Sequence, residues 1–129
     1  MSSSSFSCCW CLLSIFLPHL LSAKPKCTLP CPQDVAIYSK NLHTFLKWSP
    51  PINVSKGLVY RCQYKVYGEE QWVNIQKCMK IKTNVCDLSN ETINYKEFYF
   101  ARVKVTHPGC SNYSRTERFS PKQSKSLCI

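Results

Sequence analysis

The sequence is poor in glycine and has no long apolar run. Only 3 of its 129 residues are glycine while 12% are aromatic, a composition that excludes a collagen-like repeat and a disordered tail. No apolar stretch reaches the roughly 20 residues that a membrane-spanning helix needs, so we expect no membrane span. The length fits one domain of ordinary size.

The motifs of common enzyme chemistry are also missing. The sequence holds no G-x-S-x-G, no H-E-x-x-H and no glycine-rich phosphate loop. A Cys110–His107 nucleophile pair is conceivable, but a turn beside a disulfide cysteine is the commoner structure. Cys27 and Cys31 have a metal-like spacing, yet no second pair completes a zinc site. We expect no enzyme activity, no metal and no cofactor.

Acidic residues are scarce relative to basic ones. Seventeen Lys and Arg against seven Asp and Glu give a formal charge of +10, which favours an acidic partner. The basic residues are spread along the chain without an aromatic-interleaved RNA-binding strand, so nucleic acid is not expected. Heparan sulfate or an acidic protein is the more plausible acidic partner.

The N-terminus carries an apolar run at 8–21, followed by the small residues Ser22 and Ala23. Its length is typical of a secretory signal, although the preceding residues include no Lys or Arg. The alternative is a buried segment of a cytosolic domain. We expect a cleaved signal at 1–23 and a secreted, extracellular protein. Cleavage leaves seven of the ten cysteines, so at least one is free or bonded to another chain.

Beyond the signal, apolar and polar residues alternate with a period of two, which is typical of half-buried strands. The clearest strands are predicted at 35–37, 42–48, 58–67 and 99–105, and weaker ones at 71–75, 84–88 and 114–120. Leu42, Thr44, Leu46 and Trp48 would form one inward row. About seven short strands in roughly 100 residues predict an all-β antiparallel sandwich.

Two cysteines and three sequons agree with secretion. We expect Cys78 and Cys86 to be bridged and to close a short loop; two unrelated thiols are the alternative. The pairing of Cys27, Cys31, Cys62, Cys110 and Cys128 stays open. N-glycosylation acceptors stand at Asn53, Asn90 and Asn112, each in a predicted turn or at a strand start.

Four stretches, at 41–48, 63–72, 86–92 and 99–105, together resemble the membrane-distal domain of class II cytokine receptors, most of all the receptors for interleukin-20 and interleukin-22. The resemblance covers 32–121. It implies a fibronectin type III sandwich that binds a helical cytokine of the interleukin-10 family, such as interleukin-19, -20, -22 or -24. A second receptor chain is a further partner that it implies.

The resemblance also implies site residues. In the family a Tyr-Gly turn inserts into the ligand, and Tyr67-Gly68 matches it here, flanked by Lys65 and Glu69. Two further loops, at 90–95 and 107–113, would contribute to the cytokine site. From them we expect contacts by Asn90, Thr92, Asn94, His107 and Gly109.

The expected organisation is a signal at 1–23, an extension at 24–31, the fibronectin type III domain at 32–121 and a basic tail at 122–129. Relatives in the family have a second such domain and a membrane anchor, so we expect a truncated or soluble receptor form. On the outer face of the sheet, Arg102, Lys104 and Arg118 are expected to interleave with aromatic rings. The rival function is a secreted basic module that binds heparan sulfate.

Overall fold

The structure, a computed structural model, describes residues 26–54 and 57–123. Its elements in chain order are β1 (Gln33–Lys40), β2 (His43–Ser49), β3 (Val59–Val66), β4 (Val73–Asn74), β5 (Val85–Asp87), β6 (Tyr99–His107) and β7 (Ser114–Arg115). Short 3-10 helices lie at Gln76–Cys78 and Pro121–Gln123. The predicted signal and most of the predicted tail lie outside the described residues.

The strands form two antiparallel sheets. One sheet has the order β1-β2-β5 and the other β4-β3-β6-β7. In the second sheet β3 and β6 pair along their whole length, from Val66 opposite Tyr99 at one end to Val59 opposite His107 at the other. The chain is thus an all-β sandwich of fibronectin type III type, which confirms the predicted fold class.

The core lies between the sheets and follows the alternation of the sequence. In β6 every second residue from Tyr99 to Val105 is buried, because successive side chains point to opposite faces. Trp48 from one sheet meets Tyr60 from the other with ring centroids 5.2 Å apart. The buried cluster comprises Leu46, Trp48, Leu58, Tyr60, Cys62, Ile75, Cys78, Cys86, Leu88, Ala101, Val103 and Val105.

Three predicted strands differ in extent from the observed ones. The first is longer than predicted, since β1 runs for eight residues as the edge of its sheet. The strand predicted at 114–120 pairs with β6 only at Ser114 and Arg115, and the chain rejoins the sheet at an isolated bridge between Phe119 and Tyr99. The strand predicted at 71–75 is reduced to β4 because the chain then turns into a 3-10 helix.

The inward row predicted for 42–48 is wrong at its first residue. Thr44, Leu46 and Trp48 are buried, but Leu42 is 98% exposed. Leu42 lies with Asn41 in the two-residue turn between β1 and β2, where Lys40 pairs with His43. The side-chain alternation therefore starts at the strand and does not extend into the turn.

Two disulfides tie the sandwich together. Cys78 is bonded to Cys86, which fastens the segment after β4 to strand β5. Cys27 is bonded to Cys110, and the backbone amide of Leu29 donates to the Cys110 carbonyl at 3.0 Å. Because these contacts link positions 83 residues apart, the segment before β1 is attached to the domain and packs on its core through Leu29.

No helix in the described part of the chain is long and apolar enough to cross a membrane.

Candidate functional site

Three connections meet at one end of the sandwich. These are the Asn41–Leu42 turn, the turn after β3 at Tyr67–Glu69, and the segment from Leu88 to Phe98 that joins β5 to β6. Backbone hydrogen bonds hold them together, from the Tyr67 amide to the Phe98 carbonyl at 2.7 Å and from the Leu88 amide to the Thr44 carbonyl at 2.7 Å. We call this surface the Tyr67 end.

The turn after β3 presents Tyr67 to solvent. The Glu69 amide donates to the Val66 carbonyl at 3.0 Å. Gly68 has φ +97°, a backbone conformation that residues other than glycine rarely adopt. Tyr67 is 53% exposed, and the Arg118 guanidinium lies 5.1 Å from its ring centroid. The ring also approaches Phe98 and Phe100 at centroid distances of 6.4 and 6.1 Å. Neighbouring rings therefore support the inner side of Tyr67 while half of its surface stays free.

The β1–β2 turn presents Leu42 in an unfavourable backbone conformation. Asn41 and Leu42 have φ of +50° and +69°, which is the two-residue hairpin turn that prefers Asn and Gly. Asn tolerates this conformation, but a bulky residue there is strained. The sequence did not indicate Leu42 as a site residue, because the alternation placed it in the strand and Leu is not a typical turn residue.

The β5–β6 segment is fixed from within by side-chain hydrogen bonds. The Asp87 carboxylate accepts from the Ser89 amide at 2.8 Å, and hydrogen bonding to Ser89, by its side chain first and by its backbone amide second, lowers the pKa of Asp87. The Ser89 hydroxyl accepts from the Thr44 amide at 3.1 Å. Thr92 is buried, and its hydroxyl donates to the Leu88 carbonyl at 3.0 Å. The segment is thus held against the end of β2.

Because of these bonds, only two of the three predicted contact residues of this segment are exposed. Asn90 and Asn94 are exposed, whereas Thr92 points into the segment and offers no surface to a partner. Their neighbours Ile93 and Tyr95, which the sequence did not single out, are 73% and 57% exposed. Apolar surface at this end therefore comes from residues adjacent to the predicted ones.

A cavity of about 570 Å³ opens between the β1–β2 turn and the β5–β6 segment. Its lining includes Leu42, Ile93, Tyr95 and Pro121. Pro121 follows the bridge between Phe119 and Tyr99. Exposed apolar side chains around a concavity are typical of surfaces that bind another protein.

His107 and Gly109 do not belong to the Tyr67 end. His107 pairs with Val59 at the start of β3, whereas Tyr67 follows the end of β3. Nine residues of β6 separate the two ends, which is about 27 Å of extended strand. The expectation that the 107–113 loop and the tyrosine turn share one site is therefore wrong, because the two loops lie at opposite ends of the paired strands β3 and β6.

The same register separates the three sequons. Asn90 lies at the Tyr67 end, and Asn112 lies beyond β6 at the opposite end. Asn53 follows β2, whose other terminus faces the Tyr67 end. All three Asn side chains are exposed.

Lys65 lies on the outer face of the four-stranded sheet, beside the tyrosine turn. Its ammonium is 5.0 Å from the centroid of Trp72, and Arg102 lies 4.1 Å from the same ring. Arg102 is also 3.9 Å from the ring of Tyr113. The predicted interleaving of cations and aromatic rings on this face is confirmed, with Arg118 stacked at its edge on Phe98.

Neither Cys110 nor Cys62 is arranged for nucleophilic chemistry. Cys110 is bonded to Cys27, so it is not a thiol that His107 can activate. Burial raises the pKa of Cys62 to about 12, which keeps that thiol protonated and unreactive at neutral pH. No group of three or more metal-ligating side chains occurs among the residues at 26–54 and 57–123.

Sequence comparison identifies relatives of the chain. The family model described as Tissue factor matches residues 7–113. Interleukin-20 receptor subunit alpha of Mus musculus is 38% identical over 97 residues, covering 74% of this chain and 18% of that protein. Interleukin-22 receptor subunit alpha-2 of Rattus norvegicus is 37% identical over 112 residues, covering 85% of this chain and 49% of that protein.

Comparison with solved structures finds the same fold. The chicken interferon gamma receptor alpha chain superposes with a TM-score of 0.68 at 26% identity, covering 75% of this chain and 47% of that one. Titin kinase with its flanking domains matches with a TM-score of 0.56 at 17% identity, covering 73% of this chain and 17% of that one, and shows the fold alone.

The fold and these matches define the chain as a fibronectin type III domain of the receptor class. It belongs to the tissue factor and class II cytokine receptor family, which confirms the resemblance seen in the sequence. This is a family of receptors and not of enzymes. The chain spans about half the length of its interleukin-22 receptor subunit alpha-2 relative and about a fifth of interleukin-20 receptor subunit alpha.

Proposed function

We propose that the chain binds a helical cytokine of the interleukin-10 family through its Tyr67 end, outside the cell. The observation that carries the proposal is the half-exposed Tyr67 ring on a tight glycine turn, supported from behind by Arg118 and Phe98. Family membership supports the partner class, since two relatives are named as receptors for interleukin-20 and interleukin-22.

The binding surface extends from Tyr67 across the cavity to Leu42 and Ile93. Aromatic anchors surrounded by apolar side chains are typical hot spots, because the rim excludes water from the central contact. Tyr loses little conformational entropy on docking, since it has two side-chain torsions and its neighbours already hold it. Asn90, Asn94 and Glu69 would provide the polar rim, and Lys65 would act from the adjacent sheet face.

An extracellular location agrees with the two disulfides, which persist in oxidising compartments. The chain would act there either as part of a receptor, together with a second receptor chain, or as a soluble binder. On its own, the described domain offers the contact surface of one sandwich, so we expect it to bind less tightly than a receptor that buries a larger interface.

The proposal is tested by surface plasmon resonance of the purified chain against interleukin-19, -20, -22 and -24. At least one cytokine should bind, and Tyr67→Ala should weaken that binding by about thirtyfold, since truncating an interface hot spot costs roughly 2 kcal/mol or more. Thermal unfolding should change little because half of the ring is already in water.

Ile52→Ala is the matched control. Ile52 is 62% exposed after the end of β2, at the opposite end of the sandwich from Tyr67, so its truncation removes exposed apolar surface without touching the proposed site. Equal losses in the two variants, or binding to none of the four cytokines, would refute the proposal.

A further inference from the structure

The outer face of the four-stranded sheet carries cations without acidic neighbours in its strands. Strands β3, β4, β6 and β7 contain no Asp or Glu. Their basic residues are Arg61, Lys65, Arg102, Lys104 and Arg115. Arg61, Lys65, Arg102 and Lys104 point outward, because they alternate along their strands with residues that face the core. Arg115 points the same way, because it pairs directly with Arg102.

The register places like charges opposite each other twice. Arg61 lies opposite Lys104, and Arg102 lies opposite Arg115. Directly opposed like charges destabilise a sheet. Burial, together with the charges of Arg61 and Arg102, lowers the pKa of the Lys104 ammonium, which reflects this crowding. Repulsion between like charges therefore acts at two places on this face.

A second observation concerns Arg61. Its Nε atom is buried and has no hydrogen-bond partner among the described residues. Next to it, the backbone of Ile81 pairs with Tyr60, so the exposed Lys80 and Lys82 flank the same end of β3. The positive surface thus continues from the sheet onto the disulfide-closed segment.

We propose that this face, from Lys82 and Arg61 across Lys104 to Arg115, binds a sulfated polysaccharide of the heparin type. A linear polyanion bound along the face would offset the repulsion between the opposed cations and offer acceptors to the Arg61 guanidinium. The proposal concerns a different surface from the Tyr67 end and does not rest on cytokine binding.

Two features favour a polysaccharide over other polyanions. Each of the three aromatic rings of the face already has two cations over it: Trp72 has Lys65 and Arg102, Tyr113 has Arg102 and Lys104, and Phe100 has Lys65 and Arg115. Rings occupied in this way are not free to stack on nucleobases, which is how single-stranded nucleic acids are usually held. The row of cations also offers no free aromatic anchor of the kind that dominates protein interfaces.

The test is binding of the purified chain to immobilised, size-fractionated heparin over a range of salt. Arg61→Gln/Lys104→Gln should weaken binding by about tenfold and flatten its salt dependence, since two ionic contacts are lost. Lys40→Gln/Lys47→Gln removes the same charge from the other sheet and should change affinity by less than about twofold. The single variant Lys104→Gln should fall between the two.

Thermal unfolding without heparin gives a second readout. Because the opposed charges repel, Arg61→Gln/Lys104→Gln should unfold at the same or a higher temperature than the parent chain. A lower unfolding temperature would overturn the premise of repulsion. Absence of heparin binding, equal losses in both double variants, or equally tight binding to an oligothymidylate or polyglutamate would overturn the assignment.

Discussion

Leu42 and Tyr67 are the residues whose exposure the fold does not account for. A buried side chain at either position would contribute to the core, but Leu42 is almost fully exposed and Tyr67 is half exposed, so both leave apolar surface in water. Leu42 carries the additional cost of φ +69°. Leu42 lines a cavity with the exposed Ile93 and Tyr95. A strained, exposed apolar residue in such a group is typical of a binding surface, since a partner that covers it recovers its free energy.

Leu42→Gly separates the two roles of this residue. Glycine accepts positive φ without strain, so the variant should gain about 1 kcal/mol of stability from the relaxed turn. Cytokine binding should fall by about tenfold, because an apolar contact of the proposed surface is lost. Chemical denaturation and surface plasmon resonance measure the two effects.

Asn41→Gly is the control for the turn. Asn already tolerates positive φ, and its side chain is exposed, so both stability and binding should stay close to those of the parent chain. If Leu42→Gly lowers stability or leaves binding intact, Leu42 is a structural residue and the proposed surface is wrong at this position.

At the scale of elements, the β5–β6 segment decides which residues reach a partner. Asp87, Ser89 and Thr92 hold it by hydrogen bonds, and these bonds turn Thr92 inward while leaving Asn90 in solvent. The sequon at Asn90 is therefore the one that stands at the Tyr67 end. The sequon at Asn112 stands at the opposite end of β6.

Removing the acceptor at Asn90 should raise cytokine affinity if that residue is glycosylated. Asn90→Gln deletes the glycan without touching the Thr92 hydroxyl, whereas Thr92→Ala would also remove the buried hydrogen bond from that hydroxyl to the Leu88 carbonyl. Asn112→Gln deletes a glycan far from the site and should leave binding unchanged. A gain in the Asn112 variant alone, measured on protein from mammalian cells, would contradict the placement of the site.

The alternation of the sequence predicted β3 and β6 well because nearly every residue of these central strands has a partner. Every second residue is buried from Tyr99 to Val105 in β6, and Tyr60 and Cys62 are buried in β3. It failed at Leu42, where the period of two continues across a turn that only the backbone torsions reveal. The alternation also could not predict which loops lie at the same end of the sandwich. Whether a loop lies near Tyr67 depends on the direction and register of its strands, and His107 was misplaced for that reason.

At the scale of the whole molecule, one long-range and one short-range disulfide stabilise a domain in which three of the four edge strands, β4, β5 and β7, are short. The Cys78–Cys86 bond is buried, while Cys27 and Cys110 are only half-buried. On the chain-entropy estimate, the bond across 83 residues contributes about 4.5 kcal/mol and the one across 8 residues about 2.5 kcal/mol. The more exposed bond is thus the one that matters more for stability.

Mild reduction of the native chain should therefore open Cys27–Cys110 first and lower the unfolding temperature markedly, while Cys78–Cys86 stays oxidised until the core opens. Differential alkylation with peptide mapping follows both bonds, and reduction in concentrated guanidinium chloride, where both should open together, is the control. Prior loss of the Cys78–Cys86 bond under native conditions would contradict the described packing.

The central claim is that the partner contacts the end of the sandwich that holds Tyr67. Photo-cross-linking tests it directly, with a benzophenone side chain introduced at position 42 or at position 107 and the cytokine that binds in the panel. The account predicts a covalent cytokine adduct from position 42 and none from position 107. An adduct from position 107, or none from either position, would contradict it.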